Sequence, residues 1–268
     1  MSDTTVSTLG NKRVLAYLAS GLLGLSVIFF AVLIYAKHVR EIKEWPVPPL
    51  TASDYDWTVL FDGETLDGWR RYGQPQPGPV WSVDNGAITV APLRWSPSRI
   101  LNAGALITEK QYTNFELELE WKVSPGANSG LHFGVRESGE FWAAFQTGIE
   151  IQILDDEGHA DGQNTLTSAG SIFSLYPAPE AATLPVGKFN KLRLRVIDGQ
   201  VTSWLNGKLA SNFRIGSKDW QDRKAASRFA ASEHYAKYGT GHIALQDHGN
   251  QVWFRNIKIR EIAVAMSN

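Results

Sequence analysis

Apolar and polar residues alternate through most of the chain after residue 53, and this period of two constrains the fold more than any other feature. The segment Phe115–Trp121 reads FELELEW, with a glutamate between each pair of apolar residues. Successive side chains of a β-strand point to opposite faces, so the segment predicts a strand with one buried face. The dipeptides Asp198-Gly199 and Asn206-Gly207 favour tight hairpin turns. We therefore predict that residues 54–263 form one all-β sandwich of two antiparallel sheets.

A long apolar segment precedes this pattern. Residues 14–36 read VLAYLASGLLGLSVIFFAVLIYA and contain no charged side chain. At about 1.5 Å per helical residue, such a segment spans the roughly 30 Å hydrocarbon core of a bilayer. We predict that the sandwich is preceded by one transmembrane helix over 14–36, which anchors the chain in a lipid bilayer. The helix lies between a polar tail (1–13) and a Pro-rich linker (37–53), and a short tail (264–268) follows the sandwich.

Composition excludes several classes of function. The formal net charge is −1, which provides no electrostatic basis for binding nucleic acid. The chain contains no cysteine, so disulfides, thiolate metal sites and cysteine nucleophiles are excluded. Nucleophile elbows, phosphate-binding loops and dinucleotide-binding glycine motifs are also missing from the sequence. The ten tryptophans provide large apolar areas and flat surfaces on which a ligand can lie.

The segment GIEIQILDDEGHADG, residues 148–162, combines a strand with a polar loop. Its isoleucines alternate with Glu150 and Gln152, so we expect the isoleucines in the core and the polar pair on the opposite face of the sheet. By the same alternation, His132 and Arg136 share one face of another strand. The residues of that strand expected in the core are Leu131, Phe133 and Val135. If the two strands are neighbours, the four polar residues gather on one surface, which is either a ligand-binding face or a solvated face.

The loop that follows is rich in carboxylates. Asp155, His159 and Asp161 are spaced along it, and carboxylates with an imidazole suit a divalent cation such as calcium, zinc or manganese. The loop lacks the sixth-position glycine and the flanking helices of an EF-hand, and a solvated acidic loop is the alternative. The spacing of Glu150, Gln152 and Asp155 also resembles, with two substitutions, the Glu-x-Asp-x-x-Glu signature of jelly-roll β-glucanases.

Further polar residues lie where strands are expected to begin or end. Gln246 and His248 follow the segment GHIAL, and Asn128 enters the strand that contains His132. Strand ends border loops, where binding and catalytic residues are concentrated. We therefore include these three residues among the candidates for a binding site. A structural hydrogen bond to a nearby loop is the alternative for Gln246.

Six segments between residues 57 and 261 resemble segments of the 3-keto-disaccharide hydrolase domain family and occur in the same order along the chain. They read WTVLFDGETLDGWR, WSVDNGAI, NFELELEWKVSPGANSGLHF, GIEIQILDDEGHAD, KLRLRVIDGQVTSWLNG and GHIALQDHGNQVWFRNIKIRE. The resemblance implies a concanavalin-like jelly-roll sandwich and a carbohydrate ligand. It also implies export from the cytoplasm, which would make the chain a single-pass inner-membrane protein with a periplasmic or extracellular C-terminal domain.

The chemistry implied by the resemblance is cleavage of glycosides already oxidised at C3. A ketone at C3 acidifies the C2 proton; a base removes this proton, the C1 oxygen leaves, and water adds back. The reaction needs a general base and a group that stabilises an enolate, such as a hydrogen-bond donor or a metal. The expected catalytic residues are Glu150 and His248. The expected sugar-binding residues are Gln152, Gln246, Asn128, His132 and Arg136, and the expected ligands of a divalent metal ion, if one is bound, are Asp155, His159 and Asp161.

Two departures from the family pattern put catalysis in question. Where relatives commonly read AGALYDL, this chain has Ser174 in place of the acid, and the usual GEWN becomes Gly187-Lys188-Phe189-Asn190. Two functions are therefore considered. A membrane-anchored carbohydrate-active or carbohydrate-binding domain predicts an open concave pocket with aromatic walls that contains Glu150, Gln152 and Gln246. A non-catalytic structural subunit, packed on the periplasmic face of a larger membrane protein complex, predicts a filled or occluded groove and an apolar patch on the domain surface.

Overall fold

The computed structural model describes residues 56–91, 104–180 and 182–263. Strands dominate these residues, with one α-helix and two short 3-10 helices among them, and the strands make two antiparallel sheets. The predicted all-β sandwich is therefore confirmed. The predicted transmembrane helix (14–36), the segments beside it and the C-terminal tail lie outside the described residues. Within the described residues, no helix is long and apolar enough to cross a membrane.

The larger sheet has eight strands. Its strands in spatial order are β11 (Lys208–Arg214), β10 (Gln200–Leu205), β9 (Asn190–Ile197), β6 (Phe115–Val123), β13 (Val252–Glu261), β4 (Ala87–Val90) and β3 (Trp81–Asp84), with β1 (Thr58–Val59) also paired to β13. The turn residues Asp198 and Asn206 have φ of 48° and 50°. Both lie in the left-handed region that tight hairpins require, so the two dipeptides form the turns they predict.

The smaller sheet has five strands. Its strands in spatial order are β2 (Trp69–Arg71), β5 (Leu106–Thr108), β12 (His242–Leu245), β7 (Asn128–Val135) and β8 (Ile149–Leu154). In the register of β7 with β8, His132 lies opposite Glu150 and Gly130 lies opposite Gln152. The two strands are therefore neighbours, and they bring these polar side chains to one face of the sheet.

The core lies between the two sheets and is formed by the side chains on one face of each strand. In β8, Ile149, Ile151 and Ile153 are at most 2% exposed and belong to the main core cluster, as predicted. In β6, the glutamates between the buried residues pair with cations of β9 and β13 on the far side of the sheet. Burial of each isoleucine contributes on the order of 1.5–3 kcal/mol. This contribution determines which face of β8 carries Glu150 and Gln152.

The alternation in β7 breaks at Gly134, and two predictions fail there. Gly134 has φ of 67°, a conformation that glycine adopts at little cost, and the pairing with β12 shifts register beside it. Val135, predicted in the core between the sheets, instead packs in a smaller apolar cluster with residues of β5 and β12. Arg136, predicted on the same face as His132, is exposed. Its guanidinium carbon lies 5.9 Å from the centre of the Tyr238 ring.

A column of stacked aromatic rings attaches the helix α1 (Lys218–Ala225) and the loop after it to the sandwich. Ser217 caps the helix, because its hydroxyl accepts the Trp220 N–H at 3.2 Å. Neighbouring rings in the column have centres 3.9 to 6.2 Å apart and planes within 14° of each other. The column consists of Tyr176, Phe213, Trp220, Tyr235 and Phe229. Stacking of this kind holds the loop 226–238 in place without strand pairing.

Candidate active site

A cavity of about 1030 Å³ lies on the face of the five-stranded sheet that points away from the core. Strands β7 and β8 form its floor, and irregular segments around 141–146, 228–234 and 246–248 form its walls. Eight of the ten side chains predicted for a site line this cavity: Glu150, Gln152, His132, Asn128, Gln246, His248, His159 and Asp161. Arg136 and Asp155 are not part of the lining.

Glu150 and His132 meet at the floor of the cavity. Because Glu150 faces away from the isoleucines of β8, its carboxyl lies under the cavity, and the residue is 7% exposed. The Nε2 atom of His132 lies 3.7 Å from Oε2 of Glu150 across the strand pair. A Cβ at Gly130 would come within 2.3 Å of Oε1 of Glu150. Glycine at position 130 therefore leaves the space that the carboxyl occupies.

Burial changes the protonation of this pair. Loss of solvation raises the pKa of Glu150 to about 8, although the Gln246 amide and the charge of Arg228 oppose the change. Loss of solvation lowers the pKa of His132 to about 4. Near neutral pH the pair therefore combines a largely protonated Glu150 with a neutral His132. A carboxyl whose pKa lies this close to neutrality is suited to proton transfer.

Four buried polar atoms in the cavity lining have no hydrogen-bond partner among the described residues. They are Nδ1 and Nε2 of His132, Oε1 of Gln152 and Oε1 of Gln246. His132 is 1% exposed and Gln152 is 2% exposed. Leaving such a buried group unpaired costs about 1–3 kcal/mol. A bound molecule rich in hydroxyl groups would supply the missing partners.

Gln246 and His248 reach the cavity from the turn after β12. The main chain of Gln246 is fixed by β7, because its N–H donates to the Gly130 carbonyl at 2.9 Å and its carbonyl accepts the Ser129 hydroxyl at 2.8 Å. His248 is exposed at the edge of the cavity. Asn128, at the start of β7, is 5% exposed. The turn thus brings two predicted residues to a floor built by other strands.

The acidic loop contributes His159 and Asp161 to the cavity, whereas Asp155 stabilises the loop itself. Nδ1 of His159 accepts the Asp161 N–H at 3.1 Å and lies 3.7 Å from its carboxylate. The buried carboxylate of Asp155 accepts the N–H groups of Gly126 and Glu157 at 2.7 and 3.2 Å. Across 56–91, 104–180 and 182–263, no group of three or more His, Asp or Glu side chains is arranged to hold a metal ion. The predicted three-residue metal site is therefore not assembled.

Arg228 and Phe173 line the cavity and were missed by the sequence analysis. The guanidinium carbon of Arg228 lies 5.5 Å from the centre of the Phe173 ring, and its charge acts on Glu150. The Phe173 N–H donates to the Glu150 main-chain carbonyl at 3.0 Å, and this bond attaches the segment of Phe173 to strand β8 in the cavity floor. Arg228 lies in the irregular loop after α1, where no periodic pattern distinguishes it from any surface arginine.

The two departures from the family pattern lie outside the cavity lining. Ser174 has φ of 61°, a left-handed conformation in which Asp and Asn are enriched, and its N–H donates to the Leu166 carbonyl at 2.8 Å. An acidic residue at position 174 would therefore suit the backbone of this turn. The Phe189 ring centre lies 3.7 Å from the guanidinium carbon of Arg255, on the eight-stranded sheet. Neither Ser174 nor Phe189 is part of the cavity lining.

Comparison with known proteins finds a matching family and relatives whose descriptions concern carbohydrate chemistry. A family model described as the 3-keto-alpha-glucoside-1,2-lyase-like domain matches residues 56–260. A 3-keto-disaccharide hydrolase from Bacteroides thetaiotaomicron is 30% identical over 233 residues, covering 79% of this chain and 80% of the relative. The crystal structure of a proposed glycosyl hydrolase from Parabacteroides distasonis is 28% identical with a TM-score of 0.71, covering 81% of this chain and 99% of that chain. A protein with a galectin-like fold from Bacillus subtilis, 12% identical with a TM-score of 0.52, covers 82% of this chain and 100% of that chain and is similar in fold alone.

Proposed function

Because the chain belongs to the 3-keto-α-glucoside-1,2-lyase-like domain family, we propose that its cavity binds a 3-keto-α-glucoside and cleaves it by elimination. Glu150 takes the proton from C2, which the C3 ketone acidifies. The electron pair left at C2 expels the oxygen bound to C1, so that a C1–C2 double bond forms and the leaving oxygen gains a proton. Addition of water, with hydroxyl at C1 and hydrogen at C2, gives the free 3-keto sugar.

The unpaired polar atoms at the floor of the cavity are the observation that carries this proposal. His132, Gln152 and Gln246 present four such atoms beside Glu150, with no partner in the described part of the chain. One nitrogen of the neutral imidazole donates a hydrogen bond to a sugar hydroxyl and the other accepts one, and the amide oxygens accept. Each such bond contributes about 0.5–1.5 kcal/mol. A sheet face that only meets solvent does not account for His132 and Gln152 being at most 2% exposed.

The surroundings of Glu150 suit the role of the base. With a pKa of about 8, its carboxylate is a stronger base than that of an ordinary glutamate. A useful fraction is nevertheless ionised near neutral pH, which is the compromise that general base catalysis favours. His132 is neutral in this range because burial lowers its pKa to about 4. It therefore places no positive charge beside the carboxylate that would weaken its basicity.

Arg228 and His248 are suited to the other charges of the reaction. Negative charge develops on the C3 oxygen as the C2 proton leaves, and a guanidinium beside that oxygen stabilises it electrostatically. Arg228 lines the same cavity as Glu150, and its charge acts on Glu150. We assign to His248, at the cavity edge, donation of a proton to the leaving oxygen. His159 and Asp161 supply fewer than the three protein ligands usual for a catalytic zinc, so no step is assigned to a metal.

The alternative function, a structural subunit without sugar chemistry, predicts a filled or occluded groove and an apolar patch on the domain surface. The described residues instead leave a groove of about 1030 Å³ with a polar floor. The adjacent exposed aromatic residues of the described chain, Trp142 and Phe145, line the groove itself. The departures at Ser174 and Phe189, which favoured the alternative in the sequence, lie outside the groove. An active site is therefore the better account of the cavity.

Turnover of a 3-keto-α-glucoside tests the proposal. The wild-type protein is expected to release the 3-keto sugar, and Glu150→Gln, which keeps the shape but cannot accept a proton, is expected to be slower by about 10²–10⁴-fold. Glu157→Gln is the matched control, since Glu157 is an exposed carboxylate nearby in the chain that does not line the cavity. An inactive wild-type protein, or full activity in Glu150→Gln, would refute the proposal.

We further propose that residues 14–36 anchor the chain in the inner membrane and that the sandwich lies outside the cytoplasm. The uncharged apolar sequence of this segment supports the anchor. In bacterial spheroplasts, added protease is expected to digest the sandwich while a cytoplasmic marker survives, and alkaline carbonate is expected to leave the chain in the membrane. Extraction by carbonate would contradict the anchor, and protection from the protease would contradict the orientation.

A further inference from the structure

Two large aromatic side chains are exposed at the mouth of the cavity. Trp142 is 74% exposed and Phe145 is 42% exposed, and both line the cavity. The other exposed large apolar residues in the described part of the chain do not line it: Val59, Leu184, Val186 and Leu209. Single exposed apolar residues are common on protein surfaces. Two adjacent aromatic rings at the edge of a polar cavity are instead typical of a binding surface.

The segment that carries the two rings is fixed by its own contacts. The side-chain carbonyl of Gln146 accepts the N–H groups of Trp142 and Ala143 at 2.7 and 3.1 Å. Ala144 is buried in the smaller apolar cluster. The rings of Trp142 and Phe145 meet edge to face with centres 5.0 Å apart. Because the segment is already ordered, a ligand that lies on these rings loses little free energy to ordering them.

Exposure increases from the floor of the cavity to the aromatic pair. Glu150 is 7% exposed and His132 is 1% exposed, against 74% for Trp142. The volume of about 1030 Å³ is at the upper end of the range typical of pockets for drug-sized ligands. The cavity therefore has space for more than one sugar ring. A glycoside whose keto ring reaches Glu150 directs its other half toward the mouth.

We propose that Trp142 and Phe145 form the subsite for the leaving group of the glycoside. The inference rests on the proposed function, because the keto ring must occupy the floor beside Glu150. The indole presents a flat apolar surface that matches the C–H face of a second pyranose ring or the face of an aryl ring. A methyl leaving group is too small to reach the mouth. The pair thus favours leaving groups that contain a ring and takes no part in proton transfer.

Kinetics with three leaving groups test the subsite: methyl 3-keto-α-glucoside, 4-nitrophenyl 3-keto-α-glucoside and a disaccharide in which glucose is the leaving group. In Trp142→Ala, kcat/KM is expected to fall about 10-fold on at least one of the two ring-containing substrates, and less than about 2-fold on the methyl glycoside. A loss on the disaccharide assigns the subsite to a sugar, and a loss on the nitrophenyl glycoside alone assigns it to an aryl group. Trp142→Phe should restore most of the loss. Leu209→Ala, which removes an exposed apolar side chain outside the cavity, should change nothing.

Equal losses on all three substrates, or no loss on any, would overturn the subsite while leaving the proposed function intact. Calorimetric titration of the same glycosides covers the opposite case. In that case the wild-type protein cleaves none of the glycosides, but Trp142→Ala weakens binding of a ring-containing glycoside about 10-fold and leaves binding of the methyl glycoside unchanged. The subsite would then be supported without the lyase activity. A wild-type protein that neither cleaves nor binds these glycosides overturns both.

Discussion

Replacing Glu150 with glutamine should change how the stability of the sandwich depends on pH. Burial raises the pKa of Glu150 to about 8 in the folded protein, from 4.5 for an unperturbed glutamate. Below pH 4.5 the carboxyl is protonated in both the folded and the unfolded chain, so burial of its charge costs nothing. Between pH 4.5 and 8 the unfolded chain ionises while the folded protein keeps its proton. The free energy of unfolding therefore falls as the pH rises through this range.

The range from pH 6.5 to 8 isolates this effect. The pKa of His132 is lowered from 6.5 to about 4, so His132 lowers stability mainly below pH 6.5, where only the unfolded chain gains a proton. One pKa unit corresponds to about 1.4 kcal/mol. Ionisation of Glu150 in the folded protein reduces the slope close to pH 8. Relative to Glu150→Gln, the wild-type protein is expected to lose about 1.5 kcal/mol of unfolding free energy between pH 6.5 and 8.

Urea denaturation, followed by tryptophan fluorescence at several pH values in this range, measures the difference. The variant Glu157→Gln should follow the wild-type curve, because its exposed side chain lies outside the cavity. Glu150→Gln should become the more stable protein, relative to wild type, as the pH rises. Wild-type and Glu150→Gln curves that stay parallel from pH 6.5 to 8 would refute a buried, protonated Glu150.

Three other substitutions test separate parts of the structure. Gly130→Ala places a Cβ within 2.3 Å of the Glu150 carboxyl, so both kcat/KM and the free energy of unfolding should fall. The expected loss of unfolding free energy, measured by urea denaturation, is about 1–3 kcal/mol. Asp155→Ala removes the acceptor of two backbone N–H groups, so the free energy of unfolding should fall by about 1–3 kcal/mol. If divalent cations change the activity of the wild-type protein and no longer do so in this variant, the purely structural role of Asp155 would be contradicted. Ser174→Asp, outside the cavity, should leave kcat/KM within about 2-fold of wild type, and a large gain in a turnover assay would count against this placement.

The alternation of apolar and polar residues is sufficient to predict the floor of the cavity. In β8 a shift of one residue would place Glu150 between the sheets and the isoleucines in the cavity, so burial of the isoleucines leaves one arrangement. The same reasoning fails beyond Gly134. Its positive φ reverses the faces of the residues that follow. A glycine in a strand pattern can mark a bulge, but the prediction assumes strict alternation through Gly134. Val135 and Arg136 were misplaced for that reason.

The walls of the cavity could not be predicted, because they come from segments without a period. The position of Arg228 depends on the aromatic column that holds its loop, and this column joins rings far apart in the chain, from Tyr176 to Tyr235. Trp142 is placed by the side chain of Gln146. Contacts of this kind depend on three-dimensional proximity, whereas the candidates on strands and strand ends could be recognised by residue type and spacing.

Cleavage of a 3-keto-α-glucoside in deuterium oxide tests the central claim most directly. Elimination removes the hydrogen from C2, and hydration returns one from solvent through a cavity that is open to water. The account predicts deuterium at C2 of the 3-keto sugar from the first turnovers, measured by proton NMR against product incubated without protein for the same time. A product that keeps its original C2 hydrogen, formed with no detectable C1–C2 unsaturated intermediate, would indicate direct displacement at C1 and would contradict the role of Glu150 as the base.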